Sequence, residues 1–172
     1  VSSGLTQSAD NSGVLQLASG TGNLVTIPSV TGTAMVSGNM PAFSAYNSSA
    51  TSLASGTNTQ VLFATEDFDT NNNFASSRFT PTVAGYYQLN SAISIAGGGG
   101  ATEIIAIIYK NGAVFKSGAD GGTASFRTVV SSLVYANGTT DYFEIYCYSG
   151  AARTTEASSS ATWFNGTLVR AA

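Results

Sequence analysis

The chain has 172 residues, 43% of them hydrophobic and only 9% charged, with a formal charge of −3. That length and hydrophobic share suit one compact domain with an extension and argue against disorder. The complete absence of His removes the Ser-His-Asp and Cys-His nucleophile systems and every His-containing zinc site.

Six Lys and Arg against nine Asp and Glu leave no basic footprint for a phosphate backbone, so no nucleic-acid partner is expected. No apolar run approaches the roughly 20 residues of a spanning helix, so no membrane insertion is expected either. Ser, Thr, Asn and Gly fill 76 of the 172 positions, which gives a neutral, polar surface. The single Cys, Cys147, cannot form an internal disulfide, so packing or oligomerisation must supply stability. The start at Val1 rather than Met, without the basic and apolar regions of a signal peptide, leads us to expect a processed product or an excised piece.

Residues 1–40 read as an N-terminal arm. Asp10 is the one charged residue before Glu66, and no aromatic residue precedes Phe43. Short apolar alternations such as Val14-Leu15-Gln16-Leu17 and Leu24-Val25-Thr26-Ile27 lie between Gly, Ser and Asn turns and predict a few short strands. Ordering a residue costs about 1 to 2 kcal/mol, which such strands barely offset alone. Neighbouring copies or another protein are therefore expected to cover the arm, the alternative being a flexible linker.

Residues 41–172 read as an all-β domain, because aromatic and β-branched residues alternate with polar ones and no 3.6-residue apolar period appears. In residues 86–95, Tyr87, Leu89, Ser91, Ile93 and Ile95 share the face expected in the core, with Tyr86, Gln88, Asn90, Ala92 and Ser94 opposite. Residues 104–109 (Ile-Ile-Ala-Ile-Ile-Tyr) are apolar at nearly every position, so both faces of that strand want cover. One face meets the core; for the other a second subunit is the simplest cover, a long loop of the same chain being the alternative.

Asn111-Gly112 predicts a two-residue hairpin and Asn137-Gly138 a further turn, while Asn165-Gly166 is expected to be a bulge within the last strand. Residues 142–148 place Phe143, Ile145 and Cys147 on one side, which makes Cys147 a buried apolar residue. About nine strands at this spacing indicate an antiparallel sandwich of the jelly-roll kind.

The stretch of residues 63–89, with Phe79, Gly85 and Tyr87 in the spacing Phe, five residues, Gly, one residue, Tyr, resembles the signature region of complement C1q-like domains. Tyr109-Lys110-Asn111-Gly112, residues 133–144 and residues 163–170 resemble the later strands of its microbial and phage members. The segment from Phe74 to Phe79 is two residues shorter than in animal members, and Leu89 stands where Phe is common. The resemblance implies a ten-stranded jelly roll related to tumour necrosis factor, trimeric about an axis lined by one face of each sandwich. On that basis Ile104 and Ile108 are trimer-interface candidates. Phe79, Gly85, Tyr87 and Cys147 are expected to be structural core. The arm is similar, more loosely, to connecting segments of bacteriophage fibre and other virion surface proteins.

Candidate chemistry is sparse. Glu66, Asp67 and Asp69, followed by Asn71, Asn72 and Asn73, carry enough oxygens for calcium, yet the spacing is not an EF-hand loop and Asx turns explain it more simply. Gly97 to Gly100 lack the Lys-Ser/Thr and helix of a phosphate loop. Asp120, Asp141 and Glu144 cannot be set opposite the acidic cluster as a glycosidase pair. Tyr142, Tyr146 and Tyr148, with Tyr86 and Trp163, can face sugars or pack between subunits, and packing is favoured.

We therefore expect no catalytic, cofactor or metal residues and no cofactor. The reading is a non-enzymatic homotrimer on a virion surface, either capsid decoration or a fibre or spike tip, joined to other virion proteins through residues 1–40. A host-surface glycan or protein is a further expected partner. The alternative is a secreted C1q-like lectin that binds carbohydrate or protein.

Overall fold

A computed structural model of the chain describes residues 7–9, 15–19, 23–27, 40–97, 103–120 and 126–172. The chain divides into two compact units, Val1–Thr33 and Ala34–Ala172. In the first, β1 (Gln7–Ala9), β2 (Leu15–Ser19) and β3 (Asn23–Ile27) form an antiparallel meander in that order. Its register sets Leu15 opposite Ile27 and Leu17 opposite Val25.

The second unit holds β4 (Ala42–Tyr46), β5 (Ser52–Leu53), β6 (Thr57–Gln60), β7 (Thr65–Asp69), β8 (Phe74–Ala75), β9 (Arg78–Phe79) and β10 (Gly85–Ser94). It continues with β11 (Ile104–Lys110), β12 (Ala113–Asp120), β13 (Arg127–Ala136), β14 (Phe143–Ser149), β15 (Arg153–Thr154) and β16 (Trp163–Ala171). Sheet I has the order β13-β10-β16-β4-β7, and sheet II the order β12-β11-β14-β9-β8 with β6 also pairing β14. All pairs are antiparallel, and neighbours far apart in sequence give the crossed connections of a jelly roll.

Period-two alternation builds the core between the sheets. Tyr87, Leu89, Ile93 and Ile95 are buried from sheet I, and Phe79, Phe143, Ile145 and Cys147 from sheet II. Phe43 lies among Phe74, Phe79 and Phe164, with ring centroids at 4.9, 4.4 and 4.9 Å. The Tyr87 hydroxyl donates to the Val83 carbonyl at 2.7 Å, and burial pushes its pKa up to about 12. Gly85 is buried beneath β16, where a Cβ would meet the Arg170 carbonyl oxygen and Leu168.

Burial also pushes the Cys147 thiol up to about 12, so almost none of it is thiolate at neutral pH. Folded protein is expected to resist alkylation by iodoacetamide at pH 8 and to label fully in denaturant; rapid native labelling, read by mass spectrometry, would contradict this burial.

Two expectations change. Ile104 and Ile108, read as trimer-interface candidates, are 1% and 0% exposed within the single chain, so no second copy can cover them. Their pleat turns them inward with Ala106, and Ile105, Ile107 and Tyr109 take the outer face. The outer side is covered within the chain: Ile105 stands opposite Tyr148, Ile107 opposite Tyr146, and Tyr109 stacks on Tyr146 at 3.8 Å. Ile107 is consequently only 5% exposed while lying outside the central core.

Asn165-Gly166 is not a bulge. Both residues pair in register with Asn90 and Leu89, and the irregularity falls opposite Tyr86 and Tyr87 instead. Gly166 is required by the core: a Cβ there would lie 2.5 Å from Leu89 Cδ2 and 2.8 Å from Phe43 Cε1. Gly166→Ala is expected to cost about 1 to 3 kcal/mol, as other overpacked cores do, read as a lower urea midpoint at unchanged slope. The Asn111-Gly112 turn has φ of 53° and 80°, the left-handed pair that a type I′ hairpin between β11 and β12 requires.

Candidate functional site

The open face of sheet I is the candidate interaction site. Strand register arranges its outward positions in rungs that cross four strands. One rung is Val129, Ala92, Trp163 and Tyr46; the next is Ser131, Asn90, Asn165 and Ser44; the third is Leu133, Gln88, Thr167 and Ala42. Below them Tyr135 and Tyr86 pair at 5.5 Å, with Arg170 opposite Tyr86. None of these three upper rungs contains a charged residue.

Of the eleven exposed large hydrophobic residues among those described, Phe68, Tyr86, Val129, Leu133, Tyr135 and Val169 belong to this sheet. Val129 and Leu133, on either side of Ser131 along β13, are 53% and 54% exposed. The amide rung is bonded internally and to Gln88, which reaches up to it from the rung below. Gln88 Nε2 donates to Ser131 Oγ at 2.9 Å, Ser131 Oγ to Asn90 Oδ1 at 2.8 Å, and Asn90 Nδ2 to Asn165 Oδ1 at 3.1 Å. A shallow depression of about 260 Å³, lined in part by Ser44, Phe68, Asn90 and Asn165, lies over this rung.

The carboxylates are used structurally. Asp69 accepts hydrogen bonds from the Asn71 and Phe74 amides, closing its loop as an Asx turn, and Asp67 accepts one from Ser44 Oγ at 2.8 Å. No three metal-ligating side chains cluster among the described residues. Glu144, 4% exposed, is held by Arg78 at 2.9 Å and by Gln60. Asp141 meets Lys110 Nζ at 2.8 Å, and Lys110 Nζ also donates to the Tyr135 carbonyl.

Burial pushes the Asp141 pKa up, but hydrogen bonds from Asn111, Lys110 and the Asn137 amide, with the Lys110 charge, outweigh it and hold the group below its ordinary 3.8. A lowered carboxyl pKa stabilises the fold at pH above the unfolded value, and that stabilisation is lost as pH falls through the folded value. The urea midpoint of the wild type is therefore expected to fall more steeply than that of Asp141→Asn between about pH 5 and pH 2. Parallel profiles would contradict the assignment.

The tyrosines noted in the sequence do not form one platform. Tyr142, Tyr146 and Tyr148 accompany sheet II, with Arg78 lying 3.9 Å over the Tyr142 ring, whereas Tyr86 and Trp163 are on sheet I. The outward face of β13 was the feature that sequence reasoning passed over. Its signal was present, since Val129, Leu133 and Tyr135 alternate with Val130 and Val134 and make both faces apolar.

No protein-family model matches the sequence, and no curated protein matches it significantly. Solved structures do match. Murine APRIL at pH 8.0 superposes with a TM-score of 0.57 at 12% identity, covering 76% of this chain and 99% of that one. The globular domain of zebrafish complement 1qA gives 0.52 at 20% identity over 77% and 99%, and Eiger TNF from S. frugiperda 0.53 at 8% over 77% and 93%. The fold is the C1q/TNF jelly roll. Identities this low carry the architecture and nothing about ligand or partner, so what this jelly roll does rests on its own surface.

Proposed function

We propose that the chain is a non-enzymatic, homotrimeric virion surface protein of a bacteriophage, with the jelly roll as head and residues 1–40 as attachment to other virion proteins. The observation that carries the self-assembly is the open face of sheet I, where exposed Val129, Leu133, Tyr86 and Tyr135 flank an uncharged amide rung. Identical copies of its three upper, uncharged rungs meet around a rotation axis without opposing like charges.

A virion setting is supported by the character of the arm and by an exterior rich in Ser, Thr and Asn, which suits a particle surface that must avoid non-specific contact. Three heads on one axis give weak contacts with a host glycan or protein useful avidity. Sedimentation equilibrium is expected to return three chain masses; a monomer mass would overturn the assembly. Quantitative mass spectrometry of purified particles tests the placement. A copy number near that of the capsid protein means decoration, one far below it means a fibre or spike tip, and absence from particles overturns the virion reading in favour of a secreted C1q-like lectin.

A further inference from the structure

We infer that the amide rung of sheet I, Ser131, Asn90 and Asn165 with the Gln88 amide reaching up to them from the rung below, fixes the register of the assembly, a step that rests on the trimer reading above. A rotation axis running along the strands keeps each rung at the same height in every copy, so rung meets rung. On either side of it, Val129, Trp163 and Tyr46 above and Leu133 and Ala42 below meet their counterparts by non-directional burial. Such contacts survive a slip by one rung, which is two residues or about 6.8 Å.

The amide rung does not tolerate that slip. Its bonds within the chain leave a defined remainder: among the described residues, neither Asn165 Nδ2 nor Gln88 Oε1 has a hydrogen-bond partner, and both residues are half-buried already. One is a donor and the other an acceptor, on the adjacent strands β16 and β10. In a ring of three, Asn165 Nδ2 of one copy donates to Gln88 Oε1 of the next, and the set closes on itself. After a one-rung slip the same groups face Trp163 or Leu133 and lose water without gaining a partner, which is the desolvation cost that makes buried amides specify one arrangement.

Two sets of full-length variants test this by native mass spectrometry and sedimentation. Asn165→Asp keeps the side-chain shape, removes the donor and brings like carboxylates together. Association is expected to weaken about 100-fold or more at neutral pH and to recover as the carboxylates protonate toward about pH 4. Wild-type association at neutral pH would overturn the inference. Asn90→Leu combined with Asn165→Leu is expected to stay associated but to lose its single register, read as a broadened ion-mobility distribution of the native assembly; a single distribution like that of the wild type would overturn it as well. A wild type that is monomeric, or a Leu133→Asp chain that assembles as the wild type does, would instead bring down the trimer reading itself.

Discussion

Phe43→Ala is expected to lower the unfolding free energy by about 3 to 5 kcal/mol, a large part of the 5 to 15 kcal/mol that holds a domain of this size together. Phe43 is 1% exposed and is the ring on which the two sheets converge. It leaves β4 of sheet I and stacks on Phe79 and Phe74, from the short strands of sheet II, while Phe164 of β16 meets it edge-on. Truncation removes a transfer contribution and opens a cavity lined by three rings and by the backbone of Gly166, none of which can collapse far because each is anchored in a paired strand. Phe43→Leu, which refills part of the volume, should fall between the two. Urea unfolding at constant slope measures both, and a loss below about 1 kcal/mol for Phe43→Ala would mean that the aromatic cluster is not the centre of the core.

The same cluster shows how far the sequence was readable. Period-two alternation is enforced locally by the pleat, so the inward set of β10, Tyr87 included, and the burial of Cys147 followed from spacing, whereas Phe79 was marked by the resemblance. The Asn111-Gly112 hairpin was equally legible, since few other pairs adopt two left-handed residues at low cost. Pairing between distant strands is not local information. That β16 runs between β10 and β4 is decided by packing across the whole domain, and with it the need for glycine at 166 rather than a bulge.

The candidate site was legible in the wrong place for a physical reason. An uninterrupted apolar strand announces that both faces are covered without saying by what. In β11 the outer face is roofed by tyrosines of its own sheet, arranged by Asn58 donating to the Tyr109 hydroxyl at 2.8 Å and by the stack of Tyr109 on Tyr146. Burial there raises the Tyr146 pKa, helped by the neighbouring Glu144 charge, as expected of a phenol serving as cover. β13 carries the same two-faced pattern, but its outward side has no such roof, and Val129 and Leu133 remain in the open. Which of two similar strands is left uncovered depends on neighbours contributed from elsewhere in the chain.

That difference yields the second large effect, in which a carboxylate placed on β11 destroys the fold and the same carboxylate on β13 destroys only the assembly. Ile108→Asp puts an ionisable group at a position that is 0% exposed, beside Ile145, while the cation opposite it in register, Lys116 of β12, is exposed to solvent. Protonation or unfolding must relieve it, and a cost of about 4 kcal/mol or more is expected, enough to leave the chain largely unfolded or insoluble. Leu133→Asp puts the same group where the side chain is 54% exposed and water reaches it, so the monomer is expected to keep its circular dichroism and to lose no more than about 1 kcal/mol. Its mass in sedimentation, however, should fall to that of one chain, because a rotation axis would bring three desolvated carboxylates onto apolar partners. If Ile108→Asp folds as well as Leu133→Asp, the inward pleat of β11 is wrong; if Leu133→Asp keeps the wild-type mass, the open face of sheet I is not where the copies meet.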